Sequence, residues 1–204
     1  MKYDVVIAGL ASAEVLSMAR IIARAASRAG FVHTLTDAPS AKTPGGHVVQ
    51  LRMADQPIEV PGIAPETADL ILGTEPLESL HQLAFLSPSG SLVTSSDTKL
   101  HDSYPPVDDV LWSILSLRSG FLVDTARIVR DLGCARESTT LMVGAASDFL
   151  PVDPGDLRAA IIDLYADSGT EIVERHLAAF DAGHQALRHR EIVDEFTTLA
   201  DPHR

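Results

Sequence analysis

Residues 3–16 read Tyr3-Asp4-Val5-Val6-Ile7-Ala8-Gly9-Leu10-Ala11-Ser12-Ala13-Glu14-Val15-Leu16. An apolar run stops at a glycine, crosses a turn of small residues and enters a helical pattern. This is the opening strand–turn–helix unit of an α/β domain. The helix continues through Met18, Ala19, Ile22, Ala25, Ala26 and Ala29 at helical spacing, and Gly30 closes it.

Working outward, residues 31–36 read as a second strand, and residues 37–46, with two prolines and two glycines, as a loop. Residues 47–53 form a strand, and 56–61 a short partner strand interrupted by Pro57. Asp69-Leu70-Ile71-Leu72-Gly73 is a compact buried strand, and Thr74 or Glu75 before Pro76 starts a helix. A strand at 90–95 precedes a polar surface excursion at 97–109. Residues 110–117 are apolar and fit either element type. Residues 121–124 lead into a helix through Arg130, closed near Gly133. Helices follow over 137–150, from the Asp153-Pro154 cap onward, and along Val173, Leu177, Phe180 and Leu187. The fold expected is α/β: a doubly wound, Rossmann-like three-layer sandwich with a mostly parallel sheet and a helical C-terminal part. Residues 1–189 make one domain, and 190–204 an amphipathic tail suited to docking on another subunit or on its own body.

Composition narrows the function classes. Net charge is −12, with 28 acids against 16 Lys and Arg, which argues against nucleic acid or an anionic membrane as partner. No apolar run approaches the roughly 18 residues of a membrane span. The chain opens directly on a strand without a secretory pattern, so a soluble cytoplasmic protein is expected. Cys134 is the single cysteine, and one thiolate cannot hold an iron–sulfur cluster.

Two loops are candidate cofactor-binding sites. At the first, Gly9, Ala11 and Ser12 stand where a dinucleotide fold uses glycines, and Glu14 puts a carboxylate at the positive end of the helix, where a phosphate would sit. A structural turn with a good helix start explains the same residues. Asp37, about 28 residues on, is a candidate for a ribose-binding acid. At the second, Gly45 and Gly46 between Lys42 and His47 could expose backbone N–H groups to an anion, or simply turn the chain. The eight histidines are scattered without ligand spacing, Cys134 reads as an inert thiol, and the serines at 87, 89, 91, 95 and 96 lack a nucleophile elbow. His184, in register with Leu177 and Phe180, reads as a hydrogen-bonded core or interface residue. No self-contained catalytic set is present.

The order of motifs resembles the gamma-type domain of 2-oxoacid:ferredoxin oxidoreductases, and most closely the small (beta) subunit of indolepyruvate:ferredoxin oxidoreductase. The resemblance spans roughly residues 2–188. It is carried by Val6-Ile7-Ala8-Gly9, by Gly45-Gly46, and by Ala68-Asp69-Leu70-Ile71-Leu72-Gly73 followed by Glu75-Pro76-Leu77-Glu78-Ser79-Leu80. Leu141-Met142-Val143-Gly144-Ala145 and Ala179-Phe180-Asp181-Ala182-Gly183 complete it. It implies a non-catalytic subunit whose large partner carries thiamine diphosphate and iron–sulfur clusters. That complex would oxidatively decarboxylate a 2-oxoacid to an acyl-CoA and pass electrons to ferredoxin. This chain would shape the site or the coenzyme A approach. Whether it forms a homo-oligomer when alone is left open by the sequence.

Three places depart from the family pattern. Gly9-Leu10-Ala11-Ser12-Ala13-Glu14 replaces a Gly-x-Gly-Gly-Gln-Gly turn, Pro44 replaces an arginine, and Thr139 replaces an asparagine. A divergent member whose inherited ligand site is weakened or repurposed is expected. A free-standing small-molecule or dinucleotide-binding Rossmann-type protein is the alternative.

Overall fold

The computed structural model describes residues 1–40, 42, 45–100 and 103–188. Six strands form one sheet: β1 (Lys2–Gly9), β2 (Val32–Pro39), β3 (His47–Ala54), β4 (Ala68–Gly73), β5 (Leu86–Ser95) and β6 (Gly120–Val123). Their order is β2-β3-β1-β4-β5-β6. β1, β4, β5 and β6 run parallel to one another, and β3 lies antiparallel between β1 and β2. The mostly parallel, Rossmann-like sandwich expected from the sequence is what forms.

Side-chain alternation assigns the two faces. Val5 and Ile7 of β1, with Leu51, Leu70, Leu72 and Val93, pack beneath α1 (Ser12–Arg28), α5 (Ser138–Ala146), α6 (Pro154–Tyr165) and α7 (Thr170–Arg188). α4 (Thr125–Leu132) adds Val129 to that layer. Val6, Ala8, Ile71, Leu92 and Leu122 face the opposite way, toward α3 (Val107–Leu115) and the neighbouring α2 (Pro76–His81).

The local start and stop signals hold. Glu75 caps α2 with Pro76 at its first position, Asp153 caps α6 ahead of Pro154, and Gly133 ends α4 in the left-handed conformation (φ 66°). α5 and α7 meet over their glycines. A Cβ on Gly144 would come within 2.1 Å of the Phe180 carbonyl oxygen, and one on Gly183 within 2.0 Å of the Leu141 carbonyl oxygen. Two motifs far apart in the sequence are therefore the two sides of one helix crossing.

Three expectations are corrected, and the segment left open between helix and strand resolves as a helix. Residues 56–61 form no strand, since Pro57 and Pro61 remove two donors a ladder would need. This segment lies over Arg52 instead, which donates to the Val60 carbonyl. The 37–46 loop is shorter than expected, because pairing with β3 carries β2 through Pro39 and the Ser40 amide donates to the Gly46 carbonyl at 2.7 Å. Residues 107–115 are helical, with Val110, Leu111 and Ile114 buried at helical spacing. The helix expected over 137–150 ends at Ala146 and continues as a 3₁₀ turn over Ser147–Phe149. The tail 190–204 lies outside the described residues. No helix among the described residues is long and apolar enough to cross a membrane.

Candidate functional site

β1 hands over to α1 on one face of the sheet, while β4 hands over to α2 on the other. Adjacent parallel strands whose connections diverge leave a crevice at their carboxyl ends. The open cleft lies to the other side of β1, between the start of α1 and the β2–β3 hairpin. It measures about 890 Å³ and is lined by Ala11, Ser12, Lys42, Gly45, Gly46 and His47, among others. Residues of both candidate loops thus line one cleft. Gly9, the last residue of β1, is not part of the lining.

The glycines have separate jobs. A Cβ on Gly9 would meet Thr74 Oγ1 at 2.1 Å and Val15 Cγ2 at 3.1 Å, so Gly9 lets α1 and β4 close on β1. Gly45 takes a positive φ of 81° in the hairpin turn. A Cβ on Gly46 would lie 2.6 Å from Glu78 Oε2 and 2.7 Å from Ser40 Cβ. Both close approaches serve packing within the chain.

The start of α1 is only partly suited to an anion. Ala11 occupies the N-cap and supplies no side-chain acceptor, while the Glu14 and Val15 amides donate to its carbonyl at 3.1 and 3.2 Å. Glu14 sits in that same first turn, with Lys99 Nζ 3.9 Å from its Oε1. Across the cleft, Lys42 Nζ donates to the His81 carbonyl at 3.3 Å. Asp37 is not free to meet a ribose. Its Oδ1 lies against His47 Nε2 on the hairpin, without a well-aligned hydrogen bond.

Two buried carboxylates behind the hairpin escaped the sequence reading as site residues. Glu75 Oε2 accepts from the Glu78 amide at 2.8 Å, and its Oε1 accepts from the Tyr104 hydroxyl at 2.6 Å. Burial, reinforced by that carboxylate, pushes the Tyr104 phenol well above its ordinary ionisation range. Glu78 is fully buried. Its Oε1 bonds His81 Nδ1 at 2.9 Å, while Oε2 has no hydrogen-bond partner among the described residues. The available signal was the Glu75-Pro76-Leu77-Glu78 spacing, an acid at the N-cap with a second acid three residues on.

Several polar groups elsewhere are hydrogen-bonded within the chain. Ser95, Thr125 and Asp97 bond one another at 2.6–3.0 Å beyond β5 and β6. His184 Nδ1 meets Ser147 Oγ at 2.6 Å, and His176 Nδ1 meets Thr140 Oγ1 at 2.8 Å, so both are hydrogen-bonded. Cys134 is buried, and desolvation with nearby Glu137 pushes its thiol up, away from the reactive thiolate. Thr139 is buried in α5. Among the described residues no group of three or more His, Cys, Asp or Glu side chains could hold a metal ion.

Comparison with known proteins agrees with this architecture. The indolepyruvate oxidoreductase subunit IorB of Archaeoglobus fulgidus is 25% identical over 153 residues, covering 71% of this chain and 75% of that protein. The gamma subunit of a keto/oxoacid ferredoxin oxidoreductase from Geobacter sulfurreducens superposes with a TM-score of 0.68 at 18% identity, over 93% of this chain and 98% of that one. Pyruvate oxidoreductase subunit PORC of Thermotoga maritima gives 0.60 at 17% identity, over 90% and 96%. The 2-oxoglutarate:ferredoxin oxidoreductase of Magnetococcus marinus, solved with 2-oxoglutarate, coenzyme A and succinyl-CoA bound, gives 0.71 at 18% identity. This chain is covered to 95% there and spans only 32% of that longer one. A match to the pyruvate ferredoxin/flavodoxin oxidoreductase family runs over residues 4–186, from β1 into the last turns of α7, and the chain belongs to that family.

Proposed function

We propose that this chain is a non-catalytic, accessory subunit of a 2-oxoacid:ferredoxin oxidoreductase complex of the indolepyruvate type, acting in the cytoplasm. The observation that carries this reading is the family match over residues 4–186, together with end-to-end correspondence to a chain described as a gamma subunit. The distant IorB relative supports the indolepyruvate type. Thiamine diphosphate, iron–sulfur clusters and coenzyme A belong to the complex. The large partner holds the thiamine cofactor, supplies the decarboxylation chemistry and passes electrons to ferredoxin. One cysteine cannot supply a cluster's thiolates.

Gly9, Ala11, Ser12, Gly45 and Gly46 are the remnant of a ligand loop in this reading. The lining does not fit a pyrophosphate. Ala11 and Ser12 replace glycines at the backbone approach, and the Glu14 carboxylate stands in the first turn of α1. The cleft's role is to shape the partner's site. Reconstitution tests the reading: adding this chain to the isolated large subunit should raise indolepyruvate-dependent ferredoxin reduction, and no change in rate would contradict it.

The cleft volume of about 890 Å³ favours one second reading, a free-standing small-molecule binder. Calorimetric titration with NAD(H), NADP(H), coenzyme A and adenine nucleotides separates the two. Saturable binding to the isolated chain would favour the second reading.

A further inference from the structure

β2 is an edge strand, hydrogen-bonded among the described residues on its β3 side alone. It pairs with β3 over all eight residues without a register shift, carries no lysine, and places proline only at its last position. Natural edge strands are usually shortened, bulged or covered, because an open edge is a template for another chain. Val32 and Leu35 stand 44% and 41% exposed on it.

Above this edge α1 overhangs the sheet. Arg20, Arg24 and Arg28 recur every four residues along α1 and line a groove of about 570 Å³ with His33, Leu35 and Leu164. Asp163 of α6 pairs with Arg24 and Arg28 at 3.1 and 3.3 Å, and Asp156 of the same helix lies 3.8 Å from Arg28. Arg20 is exposed and pairs with no carboxylate among the described residues. Three arginines against Asp163 and Asp156 leave the groove with one uncompensated positive charge, Arg20, on a chain of net charge −12.

A strand added to β2 would lie about 4.8 Å farther out and direct alternate side chains toward α1. Those side chains would enter the groove and meet guanidinium groups interleaved with Ala23, Leu35 and Leu164. We propose that the open edge of β2 receives an extended segment of another polypeptide that carries carboxylates at alternate positions, by strand addition. A second copy of this chain fits poorly. Its own β2 offers His33, Leu35 and Asp37 on the helix side, and pairing would bring two arginine stripes and two strongly acidic bodies together.

The test uses a fluorescein-labelled octapeptide alternating glutamate and valine, titrated with the whole chain at about 0.15 M salt to screen net repulsion. Saturable binding is expected, with none for the peptide carrying lysine in place of glutamate. Of the two peptides N-methylated on alternate residues, one should lose binding and the other keep it, because only one edge of the peptide pairs with β2. Arg20→Glu should weaken binding roughly fivefold. Failure to saturate, equal binding of the lysine peptide, or indifference to both N-methylation patterns would overturn the proposal. So would a chain that sediments as a dimer with the β2 amides protected from exchange.

Discussion

Gly9 and Thr74 close the crevice between β1 and β4 from within. The place of a Cβ on Gly9 is 2.1 Å from Thr74 Oγ1, and the Thr74 amide donates to the Ala8 carbonyl at 3.0 Å. The glycine that reads as a phosphate-loop residue is held by packing. Gly9→Ala is therefore expected to destabilise the fold by about 1–3 kcal/mol. Urea unfolding measures this, and unchanged stability would show that Thr74 yields freely.

The Glu14 carboxylate competes with any anion approaching the α1 amides. Glu14→Gly should strengthen binding of pyrophosphate or coenzyme A to the isolated chain, read by calorimetry. Affinity that stays equal or falls would show that this carboxylate does not block the turn.

Asp4 and Arg52 sit directly opposite on β1 and β3 and bond through two contacts at 2.8 and 2.9 Å, with Asp4 fully buried. Removing one partner of a buried pair leaves an uncompensated charge. Asp4→Ala should cost about 3–5 kcal/mol, whereas a paired Asp4→Leu/Arg52→Met replacement should cost much less. Equal losses in the two variants would contradict this assignment.

His176 in α7 stacks on Tyr165 at 3.6 Å, and burial lowers its basicity, with Glu137 opposing and Arg175 adding to the shift. The folded chain takes up this proton less readily than the unfolded chain. The associated stability is therefore full above the ordinary value of 6.5 and lost as pH falls below it. Thermal melts between about pH 7.5 and 5.5 should show a slope that His176→Gln flattens. An unchanged slope would place the pH dependence elsewhere.

Much of this was legible locally. Pro76, Gly133 and Pro154 marked helix ends through backbone chemistry carried by neighbouring residues, and the run from Val5 to Ala8 had to be buried. What depended on distant partners was not legible. β2 extends through Pro39 only because β3 lies beside it, and residues 110–117 declare a helix only once β5 and β6 give Ile114 and Leu111 a face to cover. Either glycine loop could be flagged from sequence. That they share one cleft follows from β3 inserting between β2 and β1. Glu75 and Glu78 looked like ordinary helix-start acids, because burial leaves no mark in the sequence.

The membership of a complex is tested most directly by purifying the chain from its native source under non-denaturing conditions and measuring the mass and cofactor content of what it travels with. A stoichiometric assembly with a larger subunit holding thiamine diphosphate and iron is the result expected. Recovery of the 204-residue chain by itself, with neither thiamine diphosphate nor iron in its peak, would contradict the account.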